Sequence, residues 1–389
     1  MFCRMPYNSI LIQPDGKLSM CCSQSMKFDY GHISTTPDLA KAWKESKNAL
    51  NIKNLDSETI DLACGLCLKE KEVLHNRWTN VNTLPFWTRI PIDDKIRFLE
   101  FTTSNICNQT CVTCSSFFSS KWKNLEQEAI QLGLPLNEWK NGTAFNSFGN
   151  STHRLTDSDI EKIFPLLPDL HMLHVKGGEP FADNNNYAVL KELFRVNPEC
   201  IVLLTSNMSS IPEKYLKLLS GKKVGISCSI DGVGQTYEYV RSTKFENTIE
   251  NLKRLKSYKL KGQVSVSITA SMHNMYNLNE MFEYWQNNMM DEVAVITLER
   301  NELKWARQPY FISPAFIMNQ KQIDEYYSKY LNDFSSNRIS KLNLYKLKSE
   351  NILPSYRAEL IKRFHLYTRF MNINRGINIY DIHPQLKEL

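Results

Sequence analysis

Cys107-Asn108-Gln109-Thr110-Cys111-Val112-Thr113-Cys114 places three thiols within eight residues, in the spacing C-x3-C-x2-C. Thiolates are soft ligands, and closely spaced ones on a loop converge on one metal or iron–sulfur centre. A closed zinc site takes four ligands, and an ordinary cubane cluster takes four cysteines. This loop offers three, with no histidine inside it and no fourth cysteine close by. Three thiolates on a 4Fe–4S cluster leave one iron open to a small molecule. A zinc knuckle that borrows a distant ligand is the competing reading, and three chance cysteines are another.

Around the loop the chain alternates strand and helix patterns. Apolar runs fall at Ile96–Phe101, Leu170–Val175, Ile201–Leu204, Val224–Ile230, Val264–Thr269 and Val293–Leu298. Helical periodicity occupies Ser120–Leu132, Thr156–Leu166, Tyr187–Phe194, Pro212–Leu219, Phe245–Leu255 and Leu278–Trp285. This alternation predicts a parallel α/β architecture, compatible with a doubly wound sheet and with a partial barrel. Such folds carry their sites at the C-terminal ends of the strands. Here the first four strands end in the cysteine loop, in Lys176-Gly177-Gly178-Glu179-Pro180, in Thr205-Ser206-Asn207 and in Ser229-Ile230-Asp231-Gly232. Four polar or glycine-rich motifs on one rim define a candidate site. Paired glycines admit close approach of backbone to a ligand. Ser206 and Asn207 carry groups suited to ribose hydroxyls or a carboxylate, and are equally suited to a turn and helix cap.

Residues 1–92 read as a separate, cysteine-dense unit, residues 93–300 as the α/β domain, and residues 301–389 as a helical C-terminal extension. In the first, Ser9–Gln13 and Lys17–Met20 flank the turn Pro14-Asp15-Gly16 and run into Cys21-Cys22. Asp38–Leu50 has helical spacing, and Cys64-Gly65-Leu66-Cys67 is a C-x2-C turn. Cys3, Cys21, Cys64 and Cys67 make a four-thiolate set, for which structural zinc is one reading. Cys22 reads as a neighbour of that set. Cys200 and Cys228 lie in or beside strand patterns and read as core residues.

The cysteine loop resembles the signature of the radical S-adenosylmethionine (SAM) enzymes. In that superfamily the open iron holds the amino and carboxylate groups of SAM. The resemblance implies a partial (β/α)6, TIM-like barrel. Gly177-Gly178-Glu179-Pro180 resembles the motif that binds the methionine amino group. Ser229, Asp231 and Arg241 resemble the S-x-D-G…R pattern, whose Ser and Arg hold the SAM carboxylate; a guanidinium suits a carboxylate by its paired donors. Ser206 and Asn207 fall where ribose or carboxylate contacts are expected. The residue before the third cysteine is often aromatic in the family; here it is Thr113, with Phe117 and Phe118 nearby. Cys3, twelve residues, Gly16, four residues and Cys21, followed later by Cys64 and Cys67, resemble the SPASM/twitch auxiliary-cluster module in its single-cluster, twitch form. That module usually follows the barrel, whereas here it precedes it.

The resemblance implies reductive cleavage of SAM to methionine and a 5′-deoxyadenosyl radical, which then abstracts hydrogen from a substrate. The implied cofactors are SAM, a radical-SAM 4Fe–4S cluster and a second, auxiliary 4Fe–4S cluster. A reductant such as flavodoxin or ferredoxin is the implied partner. A peptide or protein is the favoured substrate, a sugar-like small molecule the alternative; a non-enzymatic zinc or electron-transfer module is the reading from another class. No single catalytic residue stands out. The chain has 389 residues and a formal net charge of +6, too mild a charge to imply nucleic acid. Met1–Met20 contains no long apolar run and no stretch suits a membrane span. Ten cysteines without an export signal point to metal or redox work in the cytoplasm. Residues 123–154 read as an insertion, rich in Asn, Gly and Ser, serving as a lid or as a plain surface loop. Nine Lys or Arg against two Glu between Arg338 and Arg375 form either a basic patch or the solvated face of helices that cap the barrel.

Two cubane clusters on seven cysteines predict about eight iron per chain after anaerobic reconstitution. Metal analysis that finds about four iron and one retained zinc would assign the N-terminal set to structural zinc instead.

Overall fold

The computed structural model describes residues 3–21, 29–54, 64, 82, 85–136, 154–288, 302–306, 309–330 and 347–389. Cys22, Cys67, the expected strand at 293–298 and the Asn/Gly/Ser-rich part of the insertion lie outside the described residues. The chain forms two compact units. One comprises Met1–Ile106, Thr152–Thr205 and Lys222–Gly225; the other comprises Cys107–Ser151, Ser206–Gly221 and Ile226–Leu389.

Eight strands are described: β1 (Ser9–Ile12), β2 (Leu18–Ser19), β3 (Phe98–Phe101), β4 (Met172–Val175), β5 (Ile201–Ser206), β6 (Val224–Ser229), β7 (Val264–Ala270) and β8 (Glu302–Trp305). In the first unit β1 turns back antiparallel onto β2, with Leu11 opposite Ser19. Gly16 makes that turn at φ +84°, a conformation that favours glycine. On its other side β1 runs parallel to β3, with Ser9 opposite Phe98. Parallel pairing continues through β3 with β4 and β4 with β5. The Val202 N–H then donates to the Lys223 carbonyl at 2.9 Å, one residue before β6 begins. In the second unit β6, β7 and β8 are again parallel. The strand order is therefore β2-β1-β3-β4-β5-β6-β7-β8.

Strands β3 to β8 alternate with helices, which is the (β/α)6 arrangement; the N-terminal hairpin extends the same ladder. The sixth strand of that set lies at Glu302–Trp305. Helices Asn184–Val196 and Phe245–Lys256 bury apolar residues three and four apart, Val189, Leu190, Leu193 and Ile249, Leu252, Leu255 among them. The predicted helix at Thr156–Leu166 is α-helical only over Asp157–Glu161 and continues as a 3-10 helix over Phe164–Asp169. Pro165 and Pro168 explain the change, since neither has an N–H for the α-helical ladder. The periodic stretch at Asp38–Leu50 is two helices, Leu39–Glu45 and Lys47–Lys53, separated by Ser46 at ψ 135°. Gly234–Arg241 is a helix that the apolar spacing did not signal.

On β6 and β7 burial alternates with the strand period of two. Val224, Ile226, Cys228, Val264, Val266 and Ile268 are buried, while Ser227, Ser229, Ser265, Ser267 and Thr269 are half-buried on the opposite face. Cys200 is buried as well. The C-terminal helix, Pro354–Arg375, starts with Pro at its first position and stops at Gly376, φ +63°. Its Leu360, Phe364, Tyr367, Phe370 and Met371 belong to one core with Val112, Trp122, Tyr239 and Met272.

After β4 the chain turns through Gly177 and Gly178, at φ +79° and +50°. A Cβ on Gly178 would lie 2.3 Å from the Ile106 carbonyl oxygen, and one on Gly177 would lie 2.1 Å from Thr102 Cγ2. The Glu179 N–H donates to that same Ile106 carbonyl at 2.8 Å. Ile106 immediately precedes Cys107 in the chain, so the turn holds the entry to the cysteine loop. Gly178→Ala combines a positive φ with a backbone clash and is expected to lower stability by about 2–3 kcal/mol. Gly133→Ala has the same sign of φ, but its Cβ would meet nothing within 4 Å, and about 1 kcal/mol is expected there. Urea unfolding of both variants measures the difference, and equal losses would remove the contact with Ile106 as the cause.

Candidate functional site

In the second unit the cysteine loop is fixed through its backbone. The Thr110 N–H donates to Ser242 Oγ at 2.8 Å, and the Val112 N–H to the Val240 carbonyl at 2.9 Å. The three successive carbonyls of Thr110, Cys111 and Val112 each accept from a side chain. Their donors are the Arg375 guanidinium, Trp122 Nε1 at 3.0 Å and the Tyr367 hydroxyl at 2.7 Å. Buried carbonyls must find donors, and here the remainder of the unit supplies them.

Arg241 is the last residue of the Gly234–Arg241 helix and is buried. Its Nη2 pairs with Asp231 Oδ2 at 2.6 Å, and its Nη1 donates to Cys111 Sγ at 3.6 Å. Burial opposes its charge most strongly, but the Asp231 carboxylate, acting together with Cys111 and Tyr237, holds the guanidinium pKa above its ordinary value. Asp231 Oδ1 accepts from the Thr269 N–H at 2.7 Å. Burial pushes the Cys111 thiol up, and the Arg241 charge pulls it back towards thiolate. Arg241 Nε and Ser115 Oγ are buried donors with no hydrogen-bond partner among the described residues. Unpaired buried donors beside three thiols fit a group that accepts hydrogen bonds there.

Asn207 Nδ2 donates to Asn108 Oδ1 at 2.8 Å and reaches Cys107 Sγ at 3.9 Å. Its Oδ1 accepts from the Ser209 N–H, and Ser206 Oγ accepts from the Met208 N–H. Both residues therefore shape a turn, and Asn207 also faces the first cysteine. Ser229 ends β6, opposite Ser267 of β7. Among the described residues of this unit, Asp231, Arg241 and Cys111 thus form one bonded group, and Asn207, Asn108 and Cys107 another. Near the Thr113 position, the Phe117 and Phe118 rings stand edge to face at 4.4 Å.

In the first unit Glu179 is buried, and its Oε1 accepts from the Phe181 N–H at 3.2 Å, capping the short helix of Pro180. Strand spacing also sets up a polar face that motif reading missed. Glu100 of β3 pairs with Lys176, and His174 of β4 meets Thr205 Oγ1 of β5 at 3.0 Å. The available signal was Glu100, the one charged residue within Phe98–Phe101.

Cys3, Cys21 and Cys64 act together on one buried group. Tyr30 is 6% exposed, and its hydroxyl has no hydrogen-bond partner among the described residues. Burial first, and then the charges of Cys21, Cys64 and Cys3, raise its pKa. Among the described residues no three His, Cys, Asp or Glu side chains are placed to hold a single metal ion. In a cubane the thiolates bind different irons, and three-thiolate chemistry with N–H donors to sulfur fits such a cluster. No helix among the described residues is long and apolar enough to cross a membrane.

Comparison with known proteins bears on these groups. The family profile described as Radical SAM superfamily matches residues 101–283, and that of the SPASM iron–sulfur cluster-binding domain matches residues 3–68. No curated protein sequence matches the chain. Among solved structures, native anSMEcpe with bound AdoMet aligns at 14% identity over 61% of this chain and 60% of its own, with a TM-score of 0.40. This chain thus spans about three fifths of that relative's length. Native anSMEcpe with AdoMet and Cp18Cys peptide aligns at 13% identity over 72% of this chain and 99% of its own, TM-score 0.37. Streptococcus suis SuiB bound to its precursor peptide SuiA aligns at 11% over 90% of this chain and 67% of its own, TM-score 0.32. On its two family matches, the chain carries a radical SAM domain over residues 101–283 and an N-terminal SPASM iron–sulfur domain over residues 3–68, with SAM, a radical-SAM 4Fe–4S cluster and an auxiliary 4Fe–4S cluster as their cofactors.

Proposed function

We propose that this chain cleaves SAM reductively and abstracts hydrogen from a peptide or protein substrate. The observation that carries the reading is the buried Arg241, which joins Asp231 to the sulfur of Cys111. A structural metal knuckle has no need of a desolvated guanidinium beside one of its thiols. When bound, the radical cluster supplies the electron that divides SAM into methionine and a 5′-deoxyadenosyl radical, and the auxiliary cluster supplies an acceptor for the substrate's electron.

The chain's own residues bind and orient. Cys107, Cys111 and Cys114 hold the radical cluster, and Cys3, Cys21, Cys64 and Cys67 the auxiliary one. Gly177, Gly178, Glu179 and Pro180 receive the methionine amino group, with the glycines admitting the ligand and Glu179 opposing its charge. Ser229 and Arg241 hold the carboxylate, and Asp231 keeps the guanidinium charged and aimed. Ser206 and Asn207 serve the ribose. SPASM-type modules resemble those of enzymes that modify ribosomally made peptides and of others that oxidise sugars or small alcohols, and the peptide class is the reading proposed. Flavodoxin or ferredoxin is the proposed reductant, and the cytoplasm the compartment.

The dithionite-reduced, reconstituted chain should release 5′-deoxyadenosine from SAM, and the Cys107/Cys111/Cys114→Ala variant should release none. Unchanged release by that variant would sink the assignment. Removing Arg241 outright leaves Asp231 buried and unpaired, a loss of roughly 3–5 kcal/mol, so Arg241→Lys is the sharper probe. It keeps the charge, loses the two-pronged donor and should weaken SAM binding without losing iron. Equilibrium binding of SAM and iron content, measured on the same sample, check both halves.

The Cys64/Cys67→Ala variant tests the N-terminal set. It should lose iron and product formation while slow SAM cleavage survives. A product to 5′-deoxyadenosine ratio equal to wild type in the folded variant would exclude an electron-accepting or substrate-anchoring role.

A further inference from the structure

The C-terminal helix Pro354–Arg375 carries two of the three side chains that hold the carbonyls of residues 110–112. Tyr367 donates its hydroxyl to Val112 at 2.7 Å. Arg375 does more. Its Nη1 donates to Thr110 Oγ1 at 2.9 Å, another nitrogen of the fork reaches the Thr110 carbonyl, and Nε donates to the Tyr239 carbonyl at 2.9 Å. Cys111 lies between the two residues so held. Thr110 and Arg375 are 265 positions apart in the chain, so nothing local brings them together.

The guanidinium is also a charge in a site largely shielded from water. Arg375 is the last residue of its helix, where the unsatisfied carbonyls favour a cation. Tyr367 stacks on Trp122, the donor to the Cys111 carbonyl, at 6.5 Å between ring centroids. The helix itself is buried through Phe364, Tyr367 and Met371. The core that buries it also holds Val112 of the loop, so helix and loop are packed together.

We propose that Arg375 and Tyr367 are positioning residues for the radical cluster: the helix clamps the backbone on both sides of Cys111, and the Arg375 charge raises the reduction potential of the cluster that Cys111 helps to hold. The inference rests on the proposed assignment of Cys107, Cys111 and Cys114 to that cluster. A fixed positive charge near a cluster stabilises its reduced, more negative state. Partners that orient a ligand from behind typically govern metal retention.

Three substitutions separate clamp from charge. Arg375→Gln removes the charge and most of the fork. Arg375→Lys keeps the charge and loses the fork. Tyr367→Phe loses one donor and no charge. Arg369→Gln, on the exposed side of the same helix, is the control. Redox titration followed by electron paramagnetic resonance should show a more negative midpoint for Arg375→Gln and wild-type midpoints for Arg375→Lys, Tyr367→Phe and Arg369→Gln. Release of iron to a chelator should be on the order of tenfold faster in all but Arg369→Gln. A folded Arg375→Gln protein with wild-type midpoint and wild-type release overturns the proposal. A purely structural role would speed release in Arg375→Gln and Arg375→Lys alike with no change of midpoint, which overturns the charge component. Hydrogen exchange of residues 108–114 in the cluster-free chain distinguishes this failure from that of the functional reading. Faster exchange in Arg375→Gln and Tyr367→Phe supports the clamp even if the wild-type loop takes no cluster, and unchanged exchange removes it.

Discussion

A guanidinium withdrawn from water beside a thiol is tolerated only if a carboxylate meets it, and the second unit is arranged to satisfy that condition. Asp231 follows β6 and is held from β7 through the Thr269 N–H. Its own carbonyl accepts from Asn274 Nδ2 at 2.8 Å. Arg241 arrives from the end of the following helix and spans the distance to Cys111. Correct pairing of β6 with β7, correct length of one short helix and correct placement of the cysteine loop are therefore coupled. A slip in any of them leaves a buried charge without its partner, which is among the most costly defects a fold can carry.

Backbone accounting explains much of what lies around the loop. Within the cysteine loop only part of the backbone pairs locally, the Cys111 carbonyl accepting from the Cys114 N–H at 3.0 Å. The carbonyls of residues 110–112 are met by Arg375, Trp122 and Tyr367. In the first unit the Ile106 carbonyl is met by the Glu179 N–H, at a turn that only glycine can make. Donors far along the chain thus fix the local conformation. Arg357 behaves in the same way, donating to the carbonyls of Phe316 and Met318 at 2.7 Å. The basic character of the C-terminal region divides accordingly. Arg357 and Arg375 serve carbonyls, while Lys362 and Arg369 remain exposed.

Period and punctuation made much of this architecture legible. Runs such as Val224–Ile230 and Val264–Thr269 alternate strictly and lie on strands within a residue of their expected ends. The cysteine spacing and the four motifs at strand ends nominated the candidate site. What period does not encode is partner choice. Ser9–Ile12 reads as one arm of a hairpin, yet its other edge pairs with β3, and no local feature announces a parallel neighbour some ninety residues away. Gly234–Arg241 escaped because its buried residues, Thr236, Tyr237, Tyr239 and Val240, are not a simple aliphatic stripe. Arg375 escaped for a stronger reason: one arginine in a basic run looks like any other until its donors are traced to Thr110.

The two faces of β6 and β7 show how the same strands serve both packing and chemistry. Val224, Ile226, Val264, Val266 and Ile268 cover one face and are withdrawn from water. The other carries Ser227, Ser229, Ser265, Ser267 and Thr269, all half-buried. Had that face been meant for a helix or a second layer of aliphatic residues, short hydroxyls would leave gaps and unmet polar groups. Short hydroxyls instead leave room beside the strands and offer donors and acceptors along it. Ser229 ends β6, and Asp231, two residues on, is buried and paired with Arg241. The polar face therefore leads along the strand towards Arg241, a buried cation that contacts a cysteine of the loop.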